Sequence, residues 1–574
     1  MQLEKRELPP KYYLTYFQYL IDFVQKKYAH ILNGQEEAFL AQFQHLTEDE
    51  QCLYIRFSNR RGSFFKTDKL KYAEIGNIPN VLRSLVEKGF LESLNEQHAP
   101  LSGGVLEIYN KAELITLAKL LNLDTKGKNA LKKEELLDWL LESVPFGDML
   151  AWLNPNQLEA DYPLVIKVAF EEEVQMLKFL FFGSRYGDMS EFVVRDLGFQ
   201  TYEQFDIENL VPHFQSRTEA EDKLKVSLAR EDFYLMQEQK VEVLDIYNWF
   251  MSWTEIHFKN LSEIALPTYY RFALKVATFF EKAKELDMAL SVFRLTQEPP
   301  SRERQVRILQ KQKSLEEAIA LCELMLAEPY NADEQFFALD FLNRLEAMAQ
   351  KKKVKKAVTQ QLHSADSIRL DKSWQRQVEF GVIHYYEQLH KKAAFTENHL
   401  WRSLFGLLFW DIIFDTESMA IHHPLQRSPS DLFKPTFFEK RKTKMEERLK
   451  VLEDSDLCNA YFHTTFFEKF GITNPLVDWY GGLFPLVLTL LEKLSPEQIS
   501  AVMLEMAKNL REHVRGFPDL LIWDDAEYQF IEVKSPTDSL SNQQLYWLKF
   551  FETINLRAKV LRIEWQKPLE DSSE

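Results

Sequence analysis

A mainly α-helical, multidomain chain that closes on a small α/β core is what this sequence predicts, on three observations. At 574 residues the chain is too long for one hydrophobic core, so three or four domains are expected. Glycine is absent between Gly198 and Gly381 while apolar residues recur at helical spacing, a pattern of paired helices in which strands are hard to place. Near the C-terminus, the stretch from Arg515 to Lys534 reads instead as two short strands joined by a tight turn. With 45% hydrophobic and 13% aromatic residues the chain can fill several cores and is not disordered overall. We place the boundaries at residues 1–105, 106–150, 151–370 and 371–574.

Three cysteines, Cys52, Cys322 and Cys458, are too few and too far apart for a zinc cluster or a disulfide framework, which points to a reducing compartment. The N-terminus lacks a charged-then-apolar leader, and the most apolar runs, LFGLLFW (404–410) and LFPLVLTLL (483–491), are far short of a membrane span. A soluble cytoplasmic protein is expected. The net charge of −17 taken alone argues against a polyanionic partner. Its distribution argues otherwise: Arg56, Arg60, Arg61, Lys66, Lys69 and Lys71 share one window, and Arg302, Arg304, Arg307, Lys311 and Lys313 another, so local tracks for a polyanion are expected. A third run, Lys351 to Lys356, reads as a solvated helix face.

In the first region, helical periodicity runs from Tyr12 to Tyr28, followed by a β-like stretch, CLYIRFSNRRGSFFKTDKL, and a helix that ends at Gly89. Together these resemble a winged-helix module. Tyr54, Phe57, Phe64 and Phe65 interleave with the arginines; they suit either a duplex-contacting surface or an ordinary core beneath surface arginines. Residues 112–142 then read as helix, basic turn and helix. Leu114, Leu117, Leu120 and Leu121 mark one face and Leu136, Leu137, Leu140 and Leu141 the other. This looks like a SAP-type DNA-binding motif, or else a plain two-helix hairpin. The resemblance implies that Lys126, Lys128, Lys132 and Lys133 meet phosphates near a helix N-terminus. The middle region reads as a scaffold of tetratricopeptide-like hairpins without a strict period. After Pro299-Pro300, SRERQVR starts an arginine-bearing helix, a candidate phosphate contact.

Chemistry concentrates at the end. Asp519 opens the first predicted strand of the hairpin, and Glu532 and Lys534 lie on the second. Two residues apart on a strand, Glu532 and Lys534 share a face about 6.6 Å apart while Val533 points the other way. Two carboxylates and an ammonium converging on one point can hold a hard cation and position or deprotonate water. A third acid comes from residues 378–414, an aromatic-rich helical pair whose second helix starts at Glu397. Thr396 can cap that helix, which makes Glu397 a favourable first-turn acid. The long apolar helix behind it should instead bury Glu397, and a buried acid needs a partner.

An acid on a helix, Pro518-Asp519, Glu532-Val533-Lys534, then a helix with Gln544 and Trp547 is similar to the VRR-NUC form of the PD-(D/E)xK nuclease fold. With FGLLFWDIIF, SPSDLFKPTFF and the regions ahead, the chain from about residue 50 onward resembles the Fanconi-associated nuclease family, as a bacterial-type member. The resemblance implies a C-terminal α/β nuclease core in which Glu397, Asp519 and Glu532 bind Mg²⁺ or Mn²⁺. The Val533 carbonyl is a further ligand, Lys534 the catalytic lysine, and Gln544 supports the site. Asp538 matches a further acid of the family. Ser535 and Ser539 stand where the family usually has Gly and Arg, and Arg511 and Arg515 are available for the phosphate. The cysteines cannot build the zinc finger of eukaryotic members, so no structural zinc is expected.

The family's substrate is branched DNA with a 5′ flap, cut endonucleolytically and degraded 5′ to 3′, in interstrand crosslink repair. The expected enzyme is thus a phosphodiesterase I-type DNA nuclease, monomeric or paired on DNA. A four-way junction resolvase and a non-catalytic branched-DNA scaffold are the competing readings.

Overall fold

The computed structural model describes residues 7–153, 164–349 and 365–566 and divides into two compact units. One comprises Met1–Phe199 with Pro212–Ala220, the other Gln200–Val211 with Glu221–Glu574.

In the first unit the Tyr12–Tyr28 helix forms where periodicity places it, burying Phe17, Leu20, Phe23 and Val24. Helices Gly34–Gln44 and Glu48–Ser58 follow, each opened by a capping box, Asn33 with Glu36 and Thr47 with Glu50. The second of these corrects the β-like reading of residues 52–70. Cys52, Leu53, Tyr54 and Ile55 are four consecutive buried residues, with Phe57 beyond them, so this part of the helix is apolar on every side and shows no helical period. Only Phe64–Lys66 is a strand, β1. The Ile78–Glu87 helix leads through Gly89, at φ +76°, to β2 (Leu91–Ser93). A third strand, β3 (Val165–Val168), lies between them, antiparallel to both; four residues are too few to interrupt the helical signal of the middle region. Helices and antiparallel sheet together give the winged-helix-like arrangement.

Tyr54, Phe57, Phe64 and Phe65 are core residues, which decides against an aromatic duplex-contacting surface. Helices Lys111–Leu120 and Lys133–Ser143 flank Gly127 at φ +78°. Leu114, Leu117, Leu136, Leu137 and Leu140 pack with Phe64 and Val165 in one core, whereas Leu120 is 59% exposed and off the predicted face.

In the second unit the helix Val243–His257 is followed by successive helices Leu266–Lys282, Leu286–Phe293, Ser301–Lys311, Leu315–Ala327 and Ala332–Ala349. They share a core that includes Phe272, Val276, Phe280, Phe293, Val306, Cys322 and Phe341. The arginines of the Ser301–Lys311 helix are not free for phosphate. Arg302 is buried against Glu334, Arg304 pairs with Glu281 and Arg307 with Glu303. The Lys351 to Lys356 run falls outside the described residues.

A five-stranded mixed sheet follows, ordered β4-β8-β7-β6-β5. Its strands are β4 (Asp366–Leu370), β5 (Lys392–Phe395), β6 (Leu520–Trp523), β7 (Tyr528–Lys534) and β8 (Ala558–Trp565). The predicted helical pair at 378–414 exists as helices Val378–Gln388 and His399–Leu408, but β5 separates them. Four residues at a sheet edge, KAAF, carry too little pattern to be read. Val382 of the Val378–Gln388 helix packs with Leu520, Ile522, Ile531, Val533 and Leu561 on one side. On the other, Trp401 packs against Phe517, Phe530 and Phe551, and Trp547 stacks on Phe517. Among the described residues no helix is long and apolar enough to cross a membrane.

Candidate active site

The site forms where β6 and β7 meet. Leu520 pairs with Ile531, so Asp519, one residue earlier, stands across from Glu532. Its Oδ2 accepts a hydrogen bond from the Val533 amide at 2.8 Å. Glu532 and Lys534 share a strand face, with Nζ 2.9 Å from Glu532 Oε1, while Val533 turns into the core on the other side. Asp519, Glu532 and Lys534 are all buried.

Gln544 joins them from the Asn542–Thr553 helix. Its Nε2 donates to Glu532 Oε1 at 2.6 Å, and its Oε1 accepts from Lys534 Nζ at 3.1 Å. The same Oε1 accepts the Ser541 amide at 2.8 Å, completing the capping box of that helix. The residue that caps the helix therefore also clamps the lysine and the glutamate. Asp538 does something more local: its carboxylate accepts the Ser535 amide at 2.9 Å and closes the turn after Lys534.

Gly516 lets the chain approach that helix. It sits at φ +87°, and a Cβ there would stand 2.6 Å from the Gln543 carbonyl carbon. Gly516→Ala should therefore cost about 1–3 kcal/mol from backbone strain alone and shift the helix that carries Gln544. Thermal unfolding and a cleavage assay should show a lowered Tm and slower cutting together.

Burial dominates the electrostatics. It pushes the Asp519 carboxyl up to about 7, against the lowering pull of the Val533 amide and Lys534. Glu532 rises to about 8, first through burial and next through the Asp519 charge, with Lys534 opposing. Such a pair is poised to exchange protons for a cation.

Glu397 corrects one expectation: it is exposed, not buried. Thr396 does not cap the helix either. Its hydroxyl donates to the Asp519 carbonyl oxygen at 3.3 Å, and Asn398, at φ +51°, precedes the helix instead. The Thr396 and Glu397 amides both donate to that same Asp519 oxygen, at 2.7 and 3.1 Å. The turn that leaves β5 thus holds Glu397 beside the buried pair, and its charge raises the proton affinity of both.

Among the described residues no three acids, histidines or cysteines form a ready-made metal cluster. The donor chemistry nonetheless fits a hard divalent cation. Glu532 Oε2 is buried without a hydrogen-bond partner, and the surrounding acceptors are carboxylate oxygens.

The basic residues are less uniform. Arg56 is held by Glu74 and lies over the Tyr13 ring at 4.1 Å. Lys66 pairs with Glu113, Lys128 lies over Trp139, and Lys133 donates to the Glu107 carbonyl at 2.7 Å. Arg60, Arg61, Lys126 and Lys132 are exposed. Arg511 lies 3.4 Å from Glu298 and Arg515 3.5 Å from Glu512, both exposed. Sequence reasoning missed Glu379, in the first turn of the Val378–Gln388 helix, whose charge also reaches Asp519. It also missed a cationic group in the second unit: Lys223, pushed down to about 7 by burial with Lys434 and Arg271 nearby. No motif marks either one.

Residues 11–92 match the family model described as FAN1, HTH domain, and residues 456–565 the VRR-NUC domain. A Fanconi-associated nuclease 1 homolog from Pseudomonas aeruginosa is 28% identical over 560 residues, covering 97% of this chain and 96% of that protein. Along nearly its whole length the chain is similar to the Fanconi-associated nuclease family. Its bacterial-type organisation accords with a structural likeness to paFAN1 bound to a two-nucleotide 5′-flap DNA with a gap. That match has a TM-score of 0.78 and 27% identity, covering 98% of this chain and 100% of that one. The human Fanconi-associated nuclease 1 is 29% identical over 192 residues, which cover 32% of this chain and 19% of the human protein. Divalent-metal dependence goes with the VRR-NUC family.

Proposed function

We propose that this chain is a member of the Fanconi-associated nuclease family, a structure-specific DNA nuclease that cuts 5′ flaps near the branch and degrades DNA 5′ to 3′. Its place would be in interstrand crosslink repair in the cytoplasm. The observation that carries the reading is the buried Asp519, Glu532, Lys534 and Gln544 network at the meeting of two strands.

Glu397, Asp519, Glu532 and the Val533 carbonyl would hold Mg²⁺ or Mn²⁺, which supplies Lewis-acid stabilisation of charge developing on the scissile phosphate. Asp519 and Glu532 give up their protons as the site loads. Lys534, fixed between Glu532 and Gln544, keeps its amino group directed at one spot, where as an ammonium it orients the attacking water and as a neutral amine it would accept the water's proton. Gln544 restricts both side chains to that geometry, and hydrolysis leaves 5′-phosphate and 3′-hydroxyl ends. Residues 1–105 and 106–150 would grip duplex through Arg60, Arg61, Lys126 and Lys132, with residues 151–370 linking that grip to a nuclease domain at 371–574. Arg56, Lys66, Lys128 and Lys133 keep a share of this role, and Arg511 and Arg515 flank the scissile phosphate. A chain with its own DNA grip works as a monomer.

Product mapping tests the reading. End-labelled 5′-flap and four-way-junction substrates in Mg²⁺ should give a cut close to the flap branch and slow, asymmetric junction cutting. Paired symmetric cuts in the junction with the flap left whole would make the protein a resolvase. Tight flap binding without cleavage in any divalent metal would make it a scaffold.

A further inference from the structure

Beside the candidate site lies a run of rings that the mechanism does not use. Phe380, on the Val378–Gln388 helix, is 54% exposed, and Phe395, the last residue of β5, is 36% exposed. Their rings are near parallel, 17° apart with centroids at 6.4 Å. Phe395 in turn lies near parallel to His399, at 28° and 6.0 Å, and His399 meets Tyr480 edge-on at 5.4 Å. The inner end of the run is fixed: one His399 ring nitrogen is 3.0 Å from the Tyr480 hydroxyl, the other 3.1 Å from the Glu397 carbonyl oxygen. The outer end is open to solvent.

Position gives the run its meaning. Phe380 follows Glu379 directly, and Phe395 and His399 bracket Glu397, the two acids whose charges reach Asp519. Phe395 pairs across the sheet with Leu520, the residue after Asp519. The rings thus edge a surface whose charged neighbours are mostly acids that repel DNA phosphate, Glu379, Glu397 and Asp478, with Arg402 the cation near His399. A nucleobase is the part of a DNA strand that such a surface can hold, because every base has a π-face and stacking needs no charge.

We propose that Phe380 and Phe395, braced by His399 and Tyr480, form a stacking platform for an unpaired nucleobase next to the scissile phosphate. Only a base freed from its partner presents an open face, so the platform favours cutting where duplex gives way to single strand. Because stacking tolerates any base, the preference is for structure and not for sequence.

The inference rests on the nuclease reading, and its test separates the two. 5′-Flap substrates carrying 2-aminopurine at successive positions around the cut are bound to the full chain in Ca²⁺. One position should be quenched well beyond its neighbours, and Phe395→Leu and Phe380→Leu should each abolish that quenching. In single-turnover cleavage in Mg²⁺, Phe395→Leu should cut the normal flap about tenfold more slowly. It should match the unmutated protein when the quenched position is abasic. An equal loss on the abasic substrate, or binding with no position quenched, overturns the platform alone. Failure of the unmutated protein to bind flap DNA overturns the nuclease reading as well.

Discussion

Asp519→Ala should slow flap cleavage by about 10²–10³-fold or more, while flap binding in EDTA stays within about threefold of the unmutated protein. The substitution removes a carboxylate from the point where Glu532 Oε2 is left bare, so on the proposed reading a cation would lose one of its anionic anchors. The fold should hold, because the tie to the turn after β5 runs through the Asp519 main-chain oxygen, which alanine keeps. Lys534→Ala should be comparably slow for a different reason: the ammonium between Glu532 and Gln544 vanishes and leaves Glu532 buried without its counter-charge. The double variant should be little slower than either single one, because groups that act as a unit are not additive. Single-turnover rates on a labelled flap, with binding measured separately, check this. Cleavage by Asp519→Ala at the unmutated rate would remove the hairpin from the chemistry.

The second large effect is on pH. In the metal-free protein Asp519 protonates near 7 and Glu532 near 8, in both cases first because they are buried. A cation entering below pH 7 must displace their protons, so affinity should fall about tenfold per pH unit for each proton released. Because Asp519 is only half protonated at pH 7, the fall is about fiftyfold between pH 7 and pH 6 and approaches about a hundredfold per unit below that. Mn²⁺ titrations by calorimetry in two buffers of different ionisation heat should show weaker binding and proton release on the acid side. Stability in the absence of metal carries the opposite sign. Both groups titrate higher in the folded chain than their ordinary values of 3.8 and 4.5. Between those values and about 8 the folded state therefore binds more protons, and stability falls as pH rises. Asp519→Asn should flatten that slope and raise the Tm of metal-free protein at pH 8 by a few degrees. A Tm unchanged by the substitution at pH 8 would mean the pair is not strained.

Much of this site could be read in the sequence because a hairpin obeys a simple period. Alternation alone puts Glu532 and Lys534 on one face, and the short connection puts Asp519 opposite. Gln544 was accessible through family resemblance, yet its second duty, capping its own helix through Ser541, is visible only in the fold. Glu397 shows the limit. An apolar helix following it suggested burial, but β5 ends two residues earlier, and the chain turns outward at Asn398 before the helix begins. Strand β3 and the edge strand β5 were missed because each has only four residues, and their partners lie far away in the chain. The helix that carries Arg56 was misread because it is buried on nearly every side. Burial of that kind erases the contrast on which periodicity depends.

The Asp519 carbonyl oxygen receives three donors from the two residues that follow β5, the Thr396 and Glu397 amides and the Thr396 hydroxyl. Asp519 and Glu397 are therefore parts of a single stiff joint. A substrate that pulls on the edge of the sheet cannot swing one acid and leave the other behind; it must carry both or break the joint. The spacing between the two backbones that carry those acids is set by these bonds, independent of what later fills the gap.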